Sequence, residues 1–199
     1  MRTARERACY DPAAYDCTVR RQMQTFDEAP VDTLFWYRPE RMKQHFELHR
    51  DQAVIATLEF DPLPSFAWEY TARHPASAET ADGKWRLTVV RRGFLGMRAD
   101  VHVEGTNSGV LEASYLLRRG TLTISEMPDH QWFGGIAKLS FDVFKDLQGF
   151  PVLRLEHGNY FERVNAHVSV ESGATPPRVV ALLASVGLYM RLLMNKVYE

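Results

Sequence analysis

The chain has 199 residues, 45% hydrophobic, 12% aromatic and 25% charged, which is the composition of a globular protein and not of a disordered, collagenous or disulfide-dense one. Lys and Arg number 24 against 25 Asp and Glu, so the cationic footprint of a dedicated nucleic-acid binder is missing and no nucleic-acid partner is expected. Two cysteines, Cys9 and Cys17, cannot build a disulfide framework and lack C-x-x-C metal spacing, which fits a reducing compartment.

Residues 1–33 differ from the rest of the chain. Their apolar residues (Ala8, Tyr10, Ala14, Tyr15, Val19, Met23, Phe26) keep no clean period and the charges are dense. We read an N-terminal extension, partly helical around 19–26 and ended by Asp27-Glu28-Ala29-Pro30, because proline disfavours helix in the residue before it. Nothing in 1–21 resembles the apolar core of a secretory signal. A cytoplasmic location is expected, and a position peripheral to the membrane would suit the arginine-bearing turns of the chain.

From about residue 34 the pattern becomes one of short strands punctuated by turn residues. Strands are expected at 46–48, at 54–60, and at 85–90 after the Asp82-Gly83 turn. The clearest is 97–104, where Met97, Ala99, Val101 and Val103 alternate with Arg98, Asp100, His102 and Glu104, as a half-buried strand requires. Residues 105–109 supply a turn, and 111–117 again keeps its apolar set on odd positions, so the two form a hairpin. Further strands are expected at 122–125 after Arg118-Arg119-Gly120, and at 137–143, with apolar residues once more on odd positions. Two more are expected at 152–156, after a turn at 145–149, and at 164–170. At least nine short strands at this spacing indicate an all-β sandwich or barrel.

The C-terminus breaks the pattern. Thr175-Pro176-Pro177 ends the strand region, and Pro177 suits a first helical position because its missing N–H would have no partner there. Residues 179–190 are apolar on every face of a 3.6-residue helix, and a helix without a polar face must be enclosed. Its 12 residues rise about 18 Å, short of the roughly 30 Å of a hydrocarbon core. No transmembrane span is expected. Strands of about eight residues tilted by about 40° make a wall roughly 20 Å tall, so the inside of a curved sheet is the natural enclosure.

Several segments also carry a family resemblance: Asp82-Gly83-Lys84-Trp85-Arg86-Leu87, Arg92-Gly93-Phe94-Leu95, Gly120-Thr121-Leu122-Thr123-Ile124, and the terminal apolar helix. Together they resemble the tubby-like C-terminal superfamily, which includes the tubby domain, the LURP-one-related proteins and the phospholipid scramblases. They look most like its uncharacterised bacterial LURP-one-like members. The resemblance covers 34–199 and implies a mainly β fold, a closed antiparallel β-barrel of about 12 strands around a hydrophobic C-terminal helix, with that helix at 177–196. Scramblases carry an acidic calcium-binding segment before the final helix. Here 169–178 holds Glu171 as its one acid, whereas calcium takes about six to eight oxygens. No calcium site is carried over, and no other metal or cofactor is implied. Tubby domains recognise phosphoinositides through basic residues, which for this chain is analogy at the level of fold.

Basic charge concentrates between Lys84 and Gly120, where seven cations face three acids. Arg91, Arg92, Arg118 and Arg119 all sit at expected strand ends. If their hairpins lie side by side, four guanidiniums converge on a phosphate-sized anion or an anionic lipid headgroup; solvated turn arginines are the competing reading. His45, Glu47 and His49 share one face of a strand and could meet a metal, but no fourth ligand is near in sequence and an exposed polar face is the commoner outcome. There is no G-x-S-x-G elbow, S-x-x-K or H-E-x-x-H. Gly93-Phe94-Leu95-Gly96 and Phe133-Gly134-Gly135 lack the phosphate-loop and dinucleotide fingerprints. Glu126 and Asp129 flank a proline as turn chemistry. Phe35, Trp36, Tyr37, Trp68, Tyr70, Trp132 and Phe133 are expected as core or barrel cover, with a ligand groove as the alternative.

The first reading is therefore a non-enzymatic barrel protein that binds anionic lipid or another small anion through strand-end arginines. A second is an interaction or structural module whose N-terminal extension docks a protein partner or a second copy. A third is an enzyme whose site no linear motif reveals.

Overall fold

A computed structural model of the chain describes residues 34–40, 44–61, 75–81, 83–92, 96–103, 108–114, 117–125, 127–135, 141–158, 163–171 and 175–195. The N-terminal extension, Trp68, Tyr70 and Glu126 lie outside them. In chain order the strands are β1 (Leu34–Tyr37), β2 (His45–Arg50), β3 (Ala53–Phe60), β4 (Ala76–Thr80), β5 (Gly83–Arg92) and β6 (Gly96–Val103). Next come β7 (Ser108–Ser114), β8 (Arg119–Ile124), β9 (His130–Gly134), β10 (Phe141–Lys145), β11 (Pro151–His157) and β12 (Val164–Val170), and then the helix α1 (Pro177–Asn195).

Each strand pairs antiparallel with the next, and β12 returns to β1 with Leu34 opposite Val168, so the sheet is a closed meander of twelve strands with no open edge. Odd-numbered strands therefore run towards one rim, here called the upper, and even-numbered strands run back. The helix leaves β12 at the lower rim and rises through the interior, ending at the upper rim.

Alternation decides what faces inward. In β6, Met97, Ala99, Val101 and Val103 are buried while Arg98 and His102 are exposed. Residues 179–190 of α1 are buried without exception, and beyond Arg191 so are Leu192 and Leu193. Gly187 permits the closest helix-to-wall approach: an ideal Cβ there would lie 2.7 Å from Leu155 Cδ1 and 3.2 Å from Phe144 Cε2. Trp36, Trp132, Tyr189, Phe46 and Phe144 are the largest fully buried side chains. Tyr189 of the helix stacks on Phe60 at 5.5 Å between ring centroids. No helix among the described residues is long and apolar enough to cross a membrane.

Three strands lie where the sequence pattern gives no strand: β1, β4 and β9. Trp36 and Trp132 point inward from two of them as core. Arg119 and Gly120 open β8 and are not turn residues, and Lys145 closes β10. The phase of β10 also differs from expectation. Asp142 and Phe144 are buried and Phe141 and Val143 are partly exposed, so the even positions face inward and a carboxylate enters the barrel.

Candidate functional site

The two arginine-bearing hairpin ends are neighbours. Arg91 and Arg92 end β5, where they pair with Arg98 and Met97 of β6. Gly96 of β6 pairs with Ser114 of β7, which pairs in turn with Arg119 of β8. The backbones of Arg91, Arg92, Arg118 and Arg119 thus stand on the upper rim within three strand spacings, roughly 14 Å along the wall. The side chains of Arg91 and Arg92 lie outside the described residues; that of Arg119 is exposed and that of Arg118 half-buried. The salt bridges found among the described residues engage Arg86, Arg98 and Arg154, but not Arg118, Arg119 or Arg191.

Arg118 is held in an unusual way. Its φ of 45° lies in the left-handed region that side-chain-bearing residues seldom occupy. Its carbonyl accepts a 2.7 Å hydrogen bond from the Gly134 N–H at the end of β9. The turn is thereby fastened across the rim to the strand beside it.

Inside the same rim lies a polar cluster that the sequence pattern does not reveal. His157 Nε2 donates to Asp142 Oδ2 at 2.7 Å, and their side chains are 2% and 0% exposed. Arg191 joins them from the helix. Gly187 sits against Phe144 and Leu155; one helical turn higher on the same helix face is Arg191, and two residues higher on the same strands are Asp142 and His157. A helical turn of about 5.4 Å matches a two-residue strand rise of about 6.6 Å, so the guanidinium arrives at the level of the pair. Burial lowers the Arg191 pKa, Asp142 opposes that shift, and the like charge of Arg118 adds to it. The signals that could have found this cluster are the apolar phase of Phe144, which puts Asp142 inside, and an arginine interrupting an apolar helix.

His45, Glu47 and His49 do share the outer face of β2. Glu47 bridges the two imidazoles, with Oε2 2.8 Å from His49 Nε2 and Oε1 3.6 Å from His45 Nε2. The contact with Glu47 raises the His45 pKa, against a smaller opposing effect of burial. The face is not the exposed one expected: Glu47 and His49 side chains are 13% and 12% exposed, and Phe35 stacks on His49 at 5.4 Å. No group of three or more His, Cys, Asp or Glu among the described residues is arranged to hold a metal ion. Asp129 sits in the connection leading to β9, and Phe133 lies under the Lys145 ammonium at 5.1 Å.

No family model matches the chain, and neither a search of curated proteins nor one of solved structures gave a match.

Proposed function

We propose that this protein is a tubby-like barrel whose role is binding and not catalysis, and that it takes an anionic lipid headgroup or another small anion at its upper rim through Arg91, Arg92, Arg118 and Arg119. The observation that carries the reading is the adjacency of the β5–β6 and β7–β8 hairpins, which bring both arginine pairs to one rim. The twelve-strand closed meander around an apolar C-terminal helix supports the kinship, since that is the architecture the resemblance implies. Guanidiniums suit the task because their planar fork meets phosphate oxygens two at a time.

The test is cosedimentation with phosphatidylcholine vesicles containing phosphatidic acid. The parent protein should bind them and lose that binding at high salt. A variant with Arg91, Arg92, Arg118 and Arg119 all changed to Glu should not bind. Equal binding by both proteins, or none by the parent, overturns the reading.

A further inference from the structure

Among the described residues eleven buried side-chain polar atoms have no hydrogen-bond partner, and five of them stand around the upper end of the interior: Arg118 Nε, Trp132 Nε1, Asp142 Oδ1, His157 Nδ1 and Arg191 Nε. They belong to one place. An ideal Cβ on Gly134 would lie 2.7 Å from Trp132 Cζ2 and 3.1 Å from Asp142 Oδ1. The Gly134 N–H holds the Arg118 carbonyl at 2.7 Å, and Asp142 is bonded to His157. Arg191 is brought to the same level by the helix. Buried polar atoms are almost always paired, and several orphans gathered at one point call for an explanation.

The chemistry of the orphans is specific. Three are N–H donors, two of them on guanidiniums whose charges repel each other. Such a set attracts an anion with acceptor oxygens. One is a carboxylate oxygen already committed on its other side to His157, and it needs a donor. A fully deprotonated oxyanion would satisfy the first three and be repelled by the fourth. An oxyanion that keeps a proton at neutral pH satisfies these four, its P–OH donating to Asp142 while its other oxygens accept from Arg118, Arg191 and Trp132. The fifth orphan, His157 Nδ1, is an acceptor while Nε2 donates to Asp142 and stays outside this set.

We infer that the upper end of the barrel interior is a binding site for a protonated phosphate group, with Arg118 and Arg191 supplying charge and Asp142, oriented by His157, reading the proton. The site deepens the anion reading proposed for the rim, with which it shares Arg118. A free hydrogen phosphate and the phosphomonoester headgroup of a lipid present the same chemistry, so the experiment separates them.

Inorganic phosphate and sulfate are each titrated calorimetrically into the full-length protein near pH 7. Phosphate should bind roughly tenfold to a hundredfold tighter, the weight of one hydrogen bond to a charged group. In Asp142→Asn the amide can donate to sulfate, and the discrimination should collapse. Arg191→Met, which keeps the length of a half-buried side chain, should lose phosphate binding while its melting curve stays cooperative. Vesicle binding is measured in parallel, together with the triple variant Arg91→Glu, Arg92→Glu, Arg119→Glu. Loss of vesicle binding with phosphate binding intact assigns the interior site to the free ion. Loss of vesicle binding in Arg191→Met assigns it to the headgroup. If the parent binds neither phosphate nor phosphatidic acid vesicles, or binds phosphate and sulfate equally, the proposal is wrong. Failure of the interior titration alone leaves the exposed rim arginines standing, and failure of vesicle binding alone leaves the interior site.

Discussion

The lower and upper parts of the barrel interior are built on different terms. Below, the helix meets the wall through Val179, Leu182, Leu183 and Val186, all buried, and the Ser185 hydroxyl is satisfied within the helix by the Ala181 carbonyl at 2.8 Å. Above, the same helix presents Arg191 to a wall carrying Asp142 and His157. Around the lower half of the helix apolar burial stabilises without directional demands, and the buried polar groups of that end, Arg50 and His130, are carried by strand ends and not by the helix. The upper part carries the desolvation of charged groups, which well-packed apolar residues would avoid. The contrast separates what holds this fold together from what the fold holds in place.

The sharpest way to break the comparison is to put charge where there is none. Leu183→Asp buries a carboxylate with no partner in the middle of α1 and should cost about 4 kcal/mol or more, enough to abolish cooperative unfolding. Calorimetry or a urea titration would show it; a variant that still melts cooperatively near the parent temperature would mean the helix is not enclosed.

A smaller effect is expected at the upper end. Asp142→Ala leaves the buried His157 N–H without its acceptor and should cost about 1–3 kcal/mol. Replacing both members, Asp142→Leu with His157→Leu, should recover most of that loss, because the apolar pair removes the need for hydrogen bonds. A double variant as unstable as the single one would show that the pair is required by the fold. Recovery of stability, measured by denaturant titration, supports the view that it is retained for binding.

The smallest effects are in pH, and they have opposite signs at the two ends. His45 lies at the upper end of β2 with its pKa raised chiefly by Glu47. Its stabilising contribution is fully present below about pH 6.5, the unfolded value, and is lost as pH rises through the folded value. His130 opens β9 at the lower rim with its pKa lowered chiefly by burial, against the opposing effect of a hydrogen bond that its ring N–H donates to the Pro128 carbonyl. Its contribution is present above about pH 6.5 and is lost as pH falls through the folded value. Melting temperatures from pH 5 to 8 should lose their alkaline decline in His45→Gln and part of their acid decline in His130→Gln. Unchanged profiles in both variants would contradict these assignments.

The fold was more legible than the site. Alternation places Met97, Ala99, Val101 and Val103 inward one by one, and the unbroken apolar surface of 179–190 requires enclosure. Strand β1 escaped because Leu-Phe-Trp-Tyr has no polar residue to mark its outward positions; Phe35 instead lies on the outer face against His49. Strand β4 escaped because Ala76 and Ala78 give a weak apolar signal although both are buried. In β10 the aromatic Phe141 misleads, since its ring is covered from outside by the Arg154 guanidinium at 4.8 Å, and the phase is set by Phe144. Four arginines at strand ends were visible in the sequence and their common rim follows from pairing. Asp142, His157 and Arg191 were not visible as a group, because a hairpin and a helix rising from the other end of the barrel bring them together.

The element at the centre of this molecule is the last of its described elements in chain order. All twelve strands leave the ribosome before the helix they surround, so a sheet that zipped shut on emergence would seal a hollow and exclude its own filling. Closure of the β1–β12 seam and docking of the helix thus stabilise each other, since neither the apolar lining of the sheet nor the apolar surface of the helix is covered without the other.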